Sequence, residues 1–238
     1  MPNLAATERH VDFRQAQREW EMLTQMFRDI LLRTDLRGKT VVDAGTGQGR
    51  LAFFLAPHVA RVVAIDVDEN ALWMARQYAA IKRISNVDFL LADLESEPFR
   101  KIWDGPVDAV VSNFYMSEAM LWRVSGAMPV GSVLVFCCHH TDHWKETGEP
   151  SEFSFGESDM EDLLREDFFE PEYLGVEQHI VRFNSIEEAE LFVGARRLQK
   201  WSEEGRWDTL RDAFRRGNKQ LTLSYLVGKA RRGPGSHW

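Results

Sequence analysis

The sequence predicts a doubly wound α/β fold: a seven-stranded, mostly parallel sheet with a helical N-terminal extension and a helical cap inserted before the last strand. Three observations predict it. Short runs rich in Val, Ile and Ala alternate with helical periodicity between Thr40 and Cys137. Those runs lack polar alternation, as strands covered on both faces do. Strand followed by helix, repeated, closes as parallel pairs through right-handed crossovers.

The elements follow in order. The first 40 residues read as helix, because Trp20, Leu23, Met26, Phe27, Ile30 and Leu31 recur at spacings of three and four. Arg37-Gly38-Lys39 ends that lead-in as a turn. Thr40 to Ala44 is the first strand and Arg50 to Ala56 the helix behind it. Arg61 to Ile65 is the second strand. Asp68 caps a helix carrying Leu72, Met74, Ala75 and Tyr78. Strands follow at Val87 to Leu91 and Val107 to Ser112, then a helix from Ser117 to Met128 and a fifth strand from Ser132 to Cys137. Ser158 and Glu161 form a capping box on an acidic helix reaching Arg165. Glu172 to Phe183 reads as a strand. Ser185 and Glu188 form a second capping box, opening a helical stretch with Leu191, Phe192, Leu198 and Trp201. Trp207 to Arg216 is a further helix, and Leu221 to Val227 is the last strand, antiparallel to the rest. Residues after Lys229 read as unstructured. The chain thus divides into a lead-in (1–39), a core (40–183 and 219–230) and a cap (184–218), as a single domain overall.

Composition narrows the function classes. The 238 residues are 44% hydrophobic and 28% charged, with a formal net charge of −8. That acidic balance speaks against nucleic acid as partner, since binders of phosphate backbones carry a basic face. The Lys229 to Arg232 stretch is the one basic run near a terminus and reads as a solvated end. Cys137 and Cys138 are adjacent, so their side chains point to opposite faces of a strand and a mutual disulfide is disfavoured. Reduced, buried thiols fit a cytoplasmic protein. No apolar run approaches the roughly 20 residues that span a bilayer, and the N-terminus has no apolar signal core.

The chemistry concentrates in Val41 to Arg50, VVDAGTGQGR. A buried strand ends in an acid, a glycine loop follows (Gly45, Gly47, Gly49), and then a helix starts. Glycines let the backbone turn sharply and approach a ligand closely, and the helix start offers unpaired N–H groups. A dinucleotide fingerprint wants glycine three positions after Gly47, where Arg50 stands. Two more strands also end in acids, Asp66 in VVAIDVD and Asp93 in LLADL. This series resembles the class I S-adenosylmethionine-dependent methyltransferases, from about Thr40 to His140 and more faintly to Lys229. The resemblance implies S-adenosyl-L-methionine as cofactor. Asp43, Gly45, Thr46, Gly47 and Gly49 match the positions that hold its methionine part. Asp66, with Val67 beside it, matches the acid that grips the ribose hydroxyls. Asp93 and Leu94 match the adenine site. Asn113, within Ser112-Asn113-Phe114-Tyr115, falls beside the methyl donor. That stretch lacks the prolines of the asparagine-proline-proline-aromatic motif, so it is closer to the small-molecule members. The cap is similar in placement to the helical lid of carboxyl methyltransferases of the trans-aconitate type.

Methyl transfer from a sulfonium needs in-line positioning and exclusion of water. A base is needed for a hydroxyl acceptor and not for a carboxylate. Candidates are His139 and His140 in CCHHTDH, with Tyr115 near the donor. The alternative for these histidines is a loop without a catalytic part. Two cysteines and three histidines lack the second ligand pair of a zinc site, so no metal is expected. Arg196, Arg197, Arg215 and Arg216 are either solvated faces or contacts to an anionic acceptor. Phe114, Tyr115, Trp122 and Trp144 either line an apolar acceptor pocket or fill core. The expected function is methyl transfer to a small molecule; a protein or RNA acceptor, a dinucleotide-dependent oxidoreductase, and a binding module without turnover are the alternatives. Oligomeric state is not encoded in any feature of the sequence.

Overall fold

The computed structural model describes residues 7–12, 23–151 and 153–235. Its strands are β1 (Thr7–Asp12), β2 (Thr40–Ala44), β3 (Arg61–Asp66), β4 (Val87–Leu91), β5 (Ala109–Asn113), β6 (Val133–His140), β7 (Ser154–Phe155), β8 (Phe169–Arg182) and β9 (Gln220–Arg232). The helices are α1 (Gln25–Arg33), α2 (Arg50–Leu55), α3 (Glu69–Lys82), α4 (Phe99–Ile102), α5 (Glu118–Ala127), α6 (Glu157–Glu166), α7 (Ile186–Val193), α8 (Ala195–Glu203) and α9 (Arg206–Arg215). Strand order is β1-β8-β9-β6-β5-β2-β3-β4, with β7 beside β6. The α/β class and the mostly parallel sheet agree with the sequence reading. Two strands, β1 and β7, are additional to the seven expected.

The chain divides into two compact units. One comprises Gln25–Cys138, Glu157–Leu174 and Val227–Trp238. Its centre is β2, paired in parallel with β3 on one side and β5 on the other, with β4 and β6 outside them. Every residue of β2 is buried, as are four in a row of β3 and of β5. That is why these strands read as unbroken apolar runs: helices cover both faces. β4 is the sheet's last strand and only partly buried, which its mixed sequence VDFLL reflects. Asp68 caps α3 as expected, its Oδ1 accepting from the Asn70 and Ala71 amides. Ser117 caps α5 in the same way, through the Met120 amide.

β9 is antiparallel, as expected. Its end meets the start of β6, where the Arg232 amide donates to Ser132 O, and the Gly233 amide donates to Phe168 O before β8. Residues 230–235 are therefore not loose, and the expectation there is corrected. Arg232 is 4% exposed; its guanidinium donates to the carbonyls of Ser125, Phe168, Gly233 and Gly235 and lies over the Phe168 ring. Arg231 and Lys229 both pair with Glu172. A basic run is read as solvated when its carbonyl partners are distant in sequence, and those of Arg232 lie up to 107 positions away.

Gly228 in β9 is a tight point. A Cβ built there would fall inside contact distance of the Phe136 ring and of Leu174. Gly228→Ala is expected to destabilise by about 1–3 kcal/mol through overpacking, read as a lower urea midpoint with unchanged slope. An unchanged midpoint would mean that Phe136 moves aside freely.

The second unit comprises Met1–Thr24, His139–Gly156 and Gly175–Leu226. Here β1 pairs in parallel with β8, Thr7 opposite Glu177 through Asp12 opposite Arg182. This corrects the helical reading of the first 40 residues. Helical periodicity holds where it was counted, in α1, whose Met26, Phe27, Ile30 and Leu31 are buried; Trp20 lies outside the described residues. Residues 7–12 are too short and polar to carry a period, and their partner strand is some 170 positions on. Ser185 caps α7 through the Glu188 amide, and Glu188 reaches back to the Asn184 amide. The anticipated Ser158–Glu161 box is not formed, because the helix begins earlier, at Glu157. Trp201, Trp207, Leu210 and Phe214 of α8 and α9 are buried. Among the described residues, no helix is long and apolar enough to cross a membrane.

Candidate active site

The carboxyl ends of β2, β3 and β5 and the turn after β4 bring together most of the residues singled out in the sequence. Gly45, Asp66, Val67, Asp93, Leu94, Asn113 and Tyr115 line a cavity of about 180 Å³. Asp43, Gly45, Thr46, Gly47 and Asn113 line a larger one of about 750 Å³, walled by Phe53, Met74, Tyr78 and Phe114. Gly45, Asn113 and Phe114 belong to both.

The loop between β2 and α2 is shaped by contacts a side chain would block. Gly45 has φ +73°, and a Cβ there would lie 2.5 Å from Tyr115 Cβ. Gly49 has φ +84° and caps α2; its missing side chain leaves space for the Phe53 ring. Such backbone is costly for any residue with a Cβ. The Gly47 amide donates to Asp66 Oδ2 at 2.6 Å, and the Asp68 amide donates to Asp66 Oδ1 at 2.9 Å. Asp66 therefore fixes the loop against β3 while each of its oxygens keeps a further lone pair.

Asp43 is 1% exposed at the end of β2. The Thr46 hydroxyl donates to its Oδ2 at 2.6 Å, and its Oδ1 is buried without a hydrogen-bond partner. Burial pushes its pKa up to about 7; the Thr46 hydroxyl and the Ala52 amide pull the other way, and the Asp66 charge adds to the rise. Asn113 Oδ1 is likewise buried without a partner. Two orphaned acceptors at the rim of one cavity are the pattern of a site built for a cationic or N–H-bearing group.

Asp93 spans the turn after β4. Its Oδ1 accepts from the Glu95 amide and its Oδ2 from the Ser96 hydroxyl, which hold its pKa below the usual carboxylate range. Tyr115 donates its hydroxyl to Glu95 Oε1 at 2.6 Å, and Ser117 donates to the same oxygen at 2.7 Å. Burial and the Glu95 carboxylate push the Tyr115 phenol far up, so it stays protonated and serves as a wall and a donor. Phe114, beside it, sits at φ +63°, a strained conformation for a bulky residue. Glu95 was missed in the sequence because its partners lie 20 and 22 positions away, with no local pattern joining them.

His139 and His140 fall in the other unit. They stand within β6, which continues past Cys137 and pairs with Ser154 and Phe155 of β7, so they are strand residues and not loop residues. His139 stacks on His143 at 4.1 Å, and burial with Arg197 nearby lowers its pKa to about 4. His140 Nδ1 accepts from the Asp142 amide and lies 3.0 Å from Ser224 Oγ, so its basic lone pair is engaged. Glu177 and His179, unremarked in the sequence, form a part-buried pair at 2.9 Å. Of the arginines noted, Arg197 stacks over Trp144 at 4.5 Å, while Arg215 pairs with Asp212 at the surface. Both cysteines are buried and reduced.

Residues 41–126 match the family described as methyltransferase domain. They form a methyltransferase domain. The methyltransferase domain thus ends within α5, and it contains every residue of both cavities. Phosphoethanolamine N-methyltransferase 1 of Arabidopsis thaliana is 30% identical over 126 residues, 49% of this chain and 25% of that protein. The match therefore spans a quarter of that relative's length. A solved structure from Bacillus halodurans C-125 shares the fold at a TM-score of 0.68 and 19% identity, over 89% of this chain and all of that one. Geranyl diphosphate C-methyltransferase from Streptomyces coelicolor, solved with S-adenosyl-L-homocysteine, shares it at 0.54 and 16%, over 86% of this chain and 76% of that one.

Proposed function

We propose that the protein is an S-adenosylmethionine-dependent methyltransferase that acts on a small molecule through a carboxylate or hydroxyl group. One observation carries the reading. The methyltransferase domain leaves two buried acceptors, Asp43 Oδ1 and Asn113 Oδ1, unsatisfied beside a glycine loop anchored by Asp66. The residues fit the cofactor: a cation-compatible acid, an acid with spare lone pairs for hydroxyls, and an apolar slot with Val67 and Leu94. The small acceptors of the relatives, phosphoethanolamine and geranyl diphosphate, support the small-molecule assignment.

When bound, S-adenosylmethionine supplies a methyl group on a sulfonium. The chain's residues do the rest. Asp66 takes the ribose hydroxyls while holding the Gly47 amide. Asp43, ionised, would hold the positively charged end of the cofactor. Val67, Leu94 and Asp93 would hold its adenine. Tyr115, tied to Glu95, walls the cavity and keeps water from the donor. A carboxylate acceptor needs no base. The histidines expected as bases for a hydroxyl acceptor, His139 and His140, line neither cavity.

Calorimetry is expected to show saturable binding of S-adenosylmethionine and none of NADH, and labelled methyl from the cofactor should appear in a small-molecule product on incubation with metabolite extract. Binding of NADH alone would overturn the reading.

A further inference from the structure

Outside both cavities, α4, α5 and the turn leading into α4 enclose a groove of about 290 Å³. Phe99 and Ala127 form part of its lining, with Trp122 at 39% exposure beside them. Arg123 provides a charge: its guanidinium lies over the Trp122 ring, 5.5 Å from the centroid. Its Nε is buried and makes no hydrogen bond. A buried guanidinium N–H without an acceptor is a costly arrangement that a ligand oxygen would relieve. The other arginine there, Arg100, is engaged with the carbonyls of Gly105 and Ala127. The groove therefore offers flat apolar surface and one unsatisfied cationic donor.

We propose that this groove binds a small aromatic carboxylate, with the carboxylate on Arg123 and the ring system against Trp122 and Phe99. The guanidinium edge matches a carboxylate, which accepts two parallel N–H bonds. The volume is at the small end of ligand pockets and admits a ring system of one or two rings. The groove adjoins the proposed cofactor site: Ser96, part of its lining, donates to Asp93, and the Arg123 charge acts on the same carboxylate.

The probe is 2-naphthoate, titrated into the full chain and followed by the indole N–H signals in nitrogen-15 NMR, with the Trp122 signal assigned through Trp122→Phe. A Kd of about 0.1–1 mM is expected for a ligand of this size. The neutral 2-naphthamide and the Arg123→Gln variant should each weaken binding at least fivefold. Gly126→Leu is the second variant. Gly126 is helical and lines the groove, and nothing lies within 4 Å of where its Cβ would be, so a leucine starts into open space and occupies the groove. It should abolish binding with an unchanged melting temperature. No saturable shift of the Trp122 signal up to about 5 mM, or binding equally strong in Arg123→Gln, overturns the proposal.

Discussion

Asp66→Ala is expected to lower S-adenosylmethionine affinity by at least about a hundredfold while the protein stays folded. Two hydrogen bonds from ribose hydroxyls to an ionised carboxylate are worth about 1.5–3 kcal/mol each. The same substitution frees the Gly47 amide, so the glycine loop loses its tie to β3 as well. Stability changes less, because the two amides released at Gly47 and Asp68 lie in a part-exposed loop that water can reach. Calorimetry on the variant, beside a circular-dichroism melt, checks both halves. Asp66→Asn separates them: an amide keeps one acceptor oxygen, so it should retain part of the loop anchoring and still bind weakly. Affinity within threefold of wild type in Asp66→Ala would remove Asp66 from the cofactor site.

Asp43→Asn should stabilise the cofactor-free protein at pH 8 and leave it unchanged below pH 4. The folded pKa of about 7 stands above the ordinary 3.8, so the folded state prefers the protonated acid. That preference is fully available below pH 4, where the unfolded chain is protonated too. It is lost as pH rises through 7, where the fold must carry a buried carboxylate. A tenfold shift in proton affinity is about 1.4 kcal/mol, so the penalty above pH 7 is roughly 2–4 kcal/mol. The variant, which cannot ionise, escapes it. The difference in melting temperature between variant and wild type should therefore grow from near zero at pH 4 to roughly 5–15 °C at pH 8. Cofactor affinity should move the other way, because an amide offers no charge to a cation. A constant difference across that range would show that Asp43 does not titrate as its burial requires.

The parts of this site that a sequence displays are those made by neighbours in the chain. The glycine loop, the acids at the ends of β2 and β3, and the cap at Asp68 each occupy a few consecutive positions, so they are visible in the sequence, and the family resemblance supplies the roles of the acids. β1 was illegible because a short stretch with five polar residues in six gains its structure from a strand far along the chain. The extent of β6 was illegible for a related reason: two histidines after an apolar run look like its end, yet β7 and Ser224 give them strand partners. The pairing of Tyr115 with Glu95, and the burial that moves Asp43, depend on how separate strands bring their ends together. No residue type announces either in advance.

The contact between Gly45 and Tyr115 bears on how such a domain can be re-engineered. The aromatic ring occupies the volume that a side chain on the loop would need. The two positions are 70 apart yet sterically one unit, so a loop transplanted from another protein has to bring its own β5 turn with it. Grafts that move the ten residues from Val41 without those around Tyr115 will meet a wall shaped for a different loop.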